Sequence, residues 1–343
     1  MVIEEKSEEG KKLPGSLIKI QDVLGLSEPG KRLIESIERG VGALTSPWQQ
    51  KRQARTEIEI ASQWMEFLKK SNLSANVAEL TLQDRGMLRL MADAGRKQSN
   101  REDVAVAAFD AYRAEEIPKV SYQEPMDHDW LDRYWRLAEN VSNKDFQLLW
   151  GRILARQAKG NQQFSPRCLE TLSLLTPLEA RTLEQLAPQI VGARNALGEM
   201  RYYLLYDIES QAARNISTAE EKQRLIRANE HIKTVLGEWH EQMFAPIGIY
   251  ASSEGAWAIS ATAPFINRAA RFSIAGDEFK LEGYPANVHA EYASGAQIKI
   301  GHGIPFSIVG SEILGLIQTS PKTEYVDALR DAFAVVGLSL SRV

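Results

Sequence analysis

Cysteine is nearly absent: Cys168 is the only one in 343 residues. An internal disulfide and a thiolate metal cluster are therefore excluded. Long apolar runs are missing too. No stretch of about 18 apolar residues occurs, so no membrane-crossing helix is expected. The opening, MVIEEKSEEGKK, is charged and has no apolar centre, so it does not read as a secretory signal. The expected setting is cytoplasmic. Charge of one sign is not in excess either. The 41 Lys and Arg against 45 Asp and Glu leave −4, which excludes a globally basic nucleic-acid binder but not a local basic patch. The common catalytic signatures are also wanting: there is no G-x-x-x-x-G-K-[ST] phosphate loop, no H-E-x-x-H helix and no G-x-S-x-G elbow. The histidines, His128, His231, His240, His289 and His302, are scattered. His289-Ala290-Glu291 has the H-x-E of zinc deaminases without their P-C-x-x-C. No catalytic residue, metal site or cofactor is expected from these patterns. Cys168 shares a helical face with Leu172 and Leu175 and reads as a small buried hydrophobe.

What is present is a globular composition, 44% hydrophobic and 25% charged. The length suits about two domains. The expected fold class is mainly α: a helical bundle in the N-terminal region with a small C-terminal α+β domain. The expected divisions are a flexible tail over 1–15, a helical domain over 16–245 and the α+β domain over 246–343. Ser27 with Pro29 opens a helix bearing Leu33, Ile34 and Ile37. Ser46-Pro47 opens another, expected to run to about Lys70. Residues 76–97 read as one helix, and Asn100 with Asp103 as the cap of the next. Residues 117–125 read as a linker. Trp130, Tyr134, Leu137 and Val141 then mark a helix. A new one starts near Asn143 with Phe146, Leu149, Trp150, Ile153 and Leu154 on one stripe, and Gly160 ends it. Ser165-Pro166 and Thr176-Pro177, the latter with Glu179 as a capping-box acid, start two more.

Residues 195–214 also read as helical. A helix over 218–244 follows, with a heptad-like seam of Leu225, Asn229, Ile232, Leu236, Trp239 and Met243. A hairpin with 195–214 is the preferred way to cover this seam, and self-association through 218–244 is the alternative. From residue 247 the pattern turns to short strands. Ala275-Gly276-Asp277 is a hairpin signal, Gly301-His302-Gly303 reads as a turn, 311–317 and 323–335 as helices, and 338–343 as a last strand.

The stretch 127–188 most strongly resembles the uncharacterised bacterial family known as domain of unknown function 2806 (DUF2806), with a weaker likeness over the first helices and at the end, TSPKTEYVDALRDAFAVVGLSL. The likeness is carried by Trp130, Tyr134, Ser142, Asp145, Leu149, Trp150, Ile153, Leu154, Ala155, Phe164, Ser165, Leu169, Leu172 and Glu179. It departs at Gln157, where an acid is expected, and at Pro166. The family has no established activity, and the resemblance implies only a setting among mobile or phage-defence genes.

Three functional readings follow. The first is a non-enzymatic protein that binds another protein or senses a cellular event. The second is a membrane-surface or nucleic-acid contact through the basic segment 31–55, with Lys51, Arg52 and Arg55 as its contact residues. The third is an unrecognised hydrolase or nuclease using Asp127, Asp129 and Asp132, although three acids opening a helix are explained by the helix dipole alone. The first is preferred.

Overall fold

The computed structural model describes residues 27–42, 81–114, 126–160, 162–194, 198–209, 218–238, 240–251, 260–285, 288 and 297–343. The chain divides into two compact units, 1–166 and 167–343. The helix expected over 46–70, the linker over 117–125 and the residues Lys51, Arg52, Arg55, Trp239 and His289 lie outside the described residues. No described helix is long and apolar enough to cross a membrane.

The described part of the first unit holds α1 (Glu28–Val41), α2 (Leu82–Ala114), α3 (His128–Ala138) and α4 (Lys144–Lys159). The sequence signals act as expected at three ends. The Ser27 side chain accepts from Gly30 N, that of Asn143 accepts from Asp145 N and Phe146 N, and Gly160 closes α4 in the left-handed region at φ 71°. Glycine takes that conformation without a Cβ clash. The core is aromatic. Trp130 stacks on Tyr134 at 5.3 Å, Tyr134 meets Trp135 edge-on, and the Tyr134 hydroxyl donates to Trp150 O at 2.8 Å. Trp150 is fully buried.

One boundary is corrected here. Residues 82–114 form a single helix, and Asn100 lies inside it rather than capping a new one. The reason is tertiary. The buried Asn100 amide donates to Glu139 O and Ser142 Oγ and accepts from Gln147 Nε2, so its side chain ties α2 to the α3–α4 turn. It is thus not available to compete with its own helix backbone.

The second unit contains α5 (Pro166–Leu174, its first residue at the boundary), α6 (Pro177–Leu186) and a seven-stranded antiparallel sheet. The strands are β1 (Val191–Arg194), β2 (Met200–Ile208), β3 (Ser260–Ile266), β4 (Ala269–Ile274), β5 (Asp277–Glu282), β6 (Gln297–Pro305) and β7 (Ser339–Arg342), in the order β1-β2-β6-β3-β4-β5-β7. β1 also pairs with β4, so the sheet curls back on itself. The unit's other helices are α7 (Ala219–Leu236), α8 (Glu241–Phe244), α9 (Ile308–Leu314) and α10 (Thr323–Val335). α7 packs on α10 and β2, and α10 also lies on β7. The capping box at Thr176–Glu179 and the turn at Ala275-Gly276 form as expected.

This overturns the expected fold class. The sheet is not the core of a small appendage after residue 245, because two of its strands lie before α7 and the unit begins at residue 167. Residues 200–208 were expected to be helical and are β2. Their run MRYYLLYDI is short, aromatic and apolar, a pattern that periodicity cannot assign. Pairing with β1 on one side and β6 on the other decides it. Gly301-His302-Gly303 is β6 rather than a turn. A Cβ on Gly301 would stand 2.1 Å from Asp207 O, and one on Gly303 2.8 Å from Leu204 O, so glycine is needed for the two strands to approach. The helix expected over 218–244 stops at Leu236, with Gly237 at φ 71° ending it. Phe306 makes only an isolated bridge to Tyr250, and Ile308 and Val309, expected in a strand, open α9 instead. The Ser307 side chain caps that helix by accepting from Gly310 N.

Candidate functional site

The seam of α7 is turned into its own unit. Leu225, Ile232 and Leu236 are buried, and Met243 is half-buried near α8's end. Among the described residues the seam is covered by α10 and β2 rather than by a helix at 195–214, of which 200–208 is strand. Asn229, the polar member, has a definite task. β1 pairs with β2 only over Met200–Tyr203, so the backbone of Ile208 projects beyond it on that side. Asn229 Oδ1 accepts from Ile208 N at 3.0 Å, and its Nδ2 donates to Ile208 O at 3.1 Å and to Asp207 Oδ1 at 2.9 Å. The amide thus stands in for an adjacent strand, which satisfies groups that are costly to bury unpaired.

Asp207 lies beside His302, with Oδ1 4.0 Å from Nδ1. Burial raises its carboxyl above the ordinary range, while His302 and Lys233 oppose that shift and Glu209 and Glu230 add to it. Lys299 is paired with Glu209 nearby. The Cys168 thiol is pushed far up, mainly by burial and further by Glu312, which keeps it unreactive.

The acids of the third reading are held structurally. Asp127 caps α3 by accepting from Asp129 N and Trp130 N, and Asp132 takes a two-point contact from Arg39 at 2.9 and 3.1 Å. That contact also lowers the Asp132 carboxyl. The described basic residues of 31–55 are similarly engaged: Lys31 pairs with Glu28 at 2.7 Å and Arg39 with Asp132. Arg32 lines a cleft of about 410 Å³ whose wall carries both signs of charge, from Glu28 and Glu35 to Arg32 and Arg39.

A different surface stands out in the first unit. From Leu82 to Arg96, α2 buries almost nothing, whereas from Asn100 onward it enters the core with Val104, Ala105 and Ala108. Leu82 is 79% exposed, Leu90 67% and Met87 46%. At about 100° per residue, Leu90, Met87, Met91 and Leu88 occupy one arc of the helix. Arg85, Arg89 and Arg96 fall within about 40° of one another, on the side of the helix opposite that arc. Arg96 is engaged by Asp93 at 2.5 Å, while Arg85 and Arg89 are exposed and have no ion-pair partner among the described residues. Gly86 and Gly95 have open space where a Cβ would stand.

Such a segment is amphipathic, and its apolar side is largely exposed, with Leu88 and Met91 half-buried. The sequence reads 76–97 as a helix without assigning a surface to it or marking its arginines. The signal was present in their four-and-seven spacing, but only the fold shows that this half of the helix is left outside the core.

Residues 84–235 match the family model described as "Protein of unknown function (DUF2806)", which bears out the resemblance over 127–188; the match does not take in the likeness read at 319–340. No curated protein and no solved structure matches the chain.

Proposed function

We propose that this is a non-enzymatic protein whose task is to bind another protein through the first half of α2, in the mobile-element or phage-defence setting that the family resemblance implies. The observation that carries the reading is the exposure of Leu82, Met87 and Leu90 on one helix that is otherwise built into a core. An uncovered helical segment of this length is marginal in water. Gly86 and Gly95 inside it cost about 1 kcal/mol each relative to alanine. A helix with those handicaps gains most from a partner that covers its apolar arc.

Photo-crosslinking amino acids placed at Met87 and Leu90 of the full chain in its native cell test this. A discrete protein adduct from both positions, and none from the exposed Leu148 on α4, is the expected result. Adducts that are absent, or the same from all three positions, would remove the reading.

The second reading, a lipid or nucleic-acid contact through 31–55, names Lys51, Arg52 and Arg55, which lie outside the described residues, while Lys31 and Arg39 are engaged by carboxylates.

A further inference from the structure

Two polar atoms in the core of the first unit have no hydrogen-bond partner among the described residues: Trp150 Nε1 and Gln147 Oε1, both on α4. Trp150 is fully buried and Gln147 is 3% exposed. We infer that one internal water molecule bridges them, accepting from the indole and donating to the amide oxygen.

The amide cannot satisfy its oxygen by turning over. Its Nε2 donates to Val141 O at 2.8 Å and to Asn100 Oδ1 at 3.3 Å. Val141 O only accepts, so a flipped amide would set two oxygens against each other. The two residues are three apart on a helix, which puts their Cβ atoms about 5–6 Å from each other on one face. Helical side chains lean toward the N-terminus, and this carries the Trp150 ring back over the turn that holds Gln147. The needs of the two atoms are opposite. An indole N–H only donates and an amide oxygen only accepts. An anion would satisfy the first and leave the second; a cation would do the reverse. Water does both at once, and two bonds lie within the roughly two to four that a buried water makes. A buried polar group without any partner is costly. A single molecule here satisfies two of them.

The bridge extends a network already present. Asn100 Oδ1 accepts from Gln147, and Asn100 Nδ2 donates to Glu139 O and Ser142 Oγ. With the water, that polar chain runs from the α3–α4 turn through α2 to the ring of Trp150, which packs on Tyr134 at 5.3 Å.

The test is water–protein cross-relaxation on the full chain labelled at its tryptophan indoles, with Trp150→Phe identifying the Trp150 signal. The expected result is a cross-peak between the Trp150 indole proton and a long-lived water. Tyr134→Phe should retain it, which excludes transfer through the exchanging Tyr134 hydroxyl, the donor to Trp150 O. Gln147→Leu should abolish it, because leucine offers the water no acceptor. No cross-peak in the wild type, or one lost in folded Tyr134→Phe, would overturn the bridge. So would a cross-peak that persists in folded Gln147→Leu, since the water would then be held without the amide. If either variant does not fold, a crystal structure of the wild type decides alone. A water peak within about 2.7–3.2 Å of both atoms supports the bridge. A direct bond of either atom to another protein group, or dry packing around them, refutes it.

Discussion

Asn229 offers the sharpest test of how the second unit is held together. Its side chain makes three hydrogen bonds, two of them to the backbone of Ile208, and it is only 7% exposed. Asn229→Leu is close in size and adds apolar surface beside Leu225 and Ile232. It leaves the Ile208 N–H and C=O buried without partners on that side. Each such group costs about 1–3 kcal/mol. The apolar gain offsets about 1–2 kcal/mol of that. A net loss centred on about 2–3 kcal/mol is expected, a large part of the roughly 5–15 kcal/mol that holds a domain folded. Asn229→Asp separates the contributions. Its carboxylate can still accept from Ile208 N but cannot donate to Ile208 O, and it faces Asp207. This variant should therefore recover stability as pH falls and one of the two carboxyls takes a proton. Urea unfolding followed by far-ultraviolet circular dichroism measures the loss, and amide exchange at Ile208 locates it. An Asn229→Leu protein within about 0.5 kcal/mol of wild type, the range of neutral surface changes, would refute the strand-substitute role. Unchanged protection of the Ile208 amide would do so equally.

Three further outcomes are expected. Trp150→Ala should destabilise the first unit by about 3–5 kcal/mol, because the ring is fully buried against Tyr134; an unchanged melting temperature would contradict the core described. Gly151→Ala should cost about 1–3 kcal/mol by overpacking, since its Cβ would stand 2.6 Å from the Ala107 carbonyl carbon and 2.7 Å from Ala108 N, backbone atoms that cannot swing aside; a neutral result would show that α2 and α4 are not so close. Burial raises the Asp207 carboxyl above its unfolded value, so its contribution to stability is fully present below the unfolded pKa and is lost as pH rises through the folded one. Asp207→Asn should accordingly flatten the fall in stability just above the ordinary carboxylate range, and denaturation across that window, with equal slopes for both proteins, would show that burial of this group has no such effect.

Helix starts were legible because their signals are local. Ser27, Asn143 and the Thr176–Glu179 box each bond within one turn, so the sequence around them contains the whole interaction. The sheet was legible only after residue 245, where a hairpin turn marks neighbouring strands. β2 escaped because what makes it a strand lies far away in the chain: Tyr203 pairs with Pro305 and Ile208 with Gly301. Asn100 misled for the same reason, as its partners Glu139 and Ser142 are remote in sequence. The candidate surface was half legible. Apolar spacing placed Leu88 and Met91 on one side of a helix, but spacing is the same for a stripe that is buried and one that is left bare. Only the packing of the rest of the unit distinguishes them.

The span of the family match leads to one more expectation. Residues 84–235 hold α3 to α6 and β1 and β2, and end inside α7. They omit β6 and β4, with which β2 and β1 pair, and α10, on which α7 packs. Leu204, Leu205 and Ile208 are buried in the full chain, and the buried Tyr325 hydroxyl of α10 donates to Leu205 O at 2.7 Å. The span also omits α1, whose Ser36 carbonyl accepts from Trp135 Nε1 at 2.9 Å and whose Gly40 carbonyl accepts from Arg101. A fragment cut at 84 and 235 would thus expose one side of each unit's core and leave β2 without β6 and β1 without β4. Unpaired strand edges and bare apolar faces drive association. The fragment is expected to be aggregated or molten, while the full chain is folded. A fragment with sharp amide dispersion and a cooperative melt would show that the recurrent segment is a folding unit in its own right, and that the later strands are an addition to it rather than part of its core.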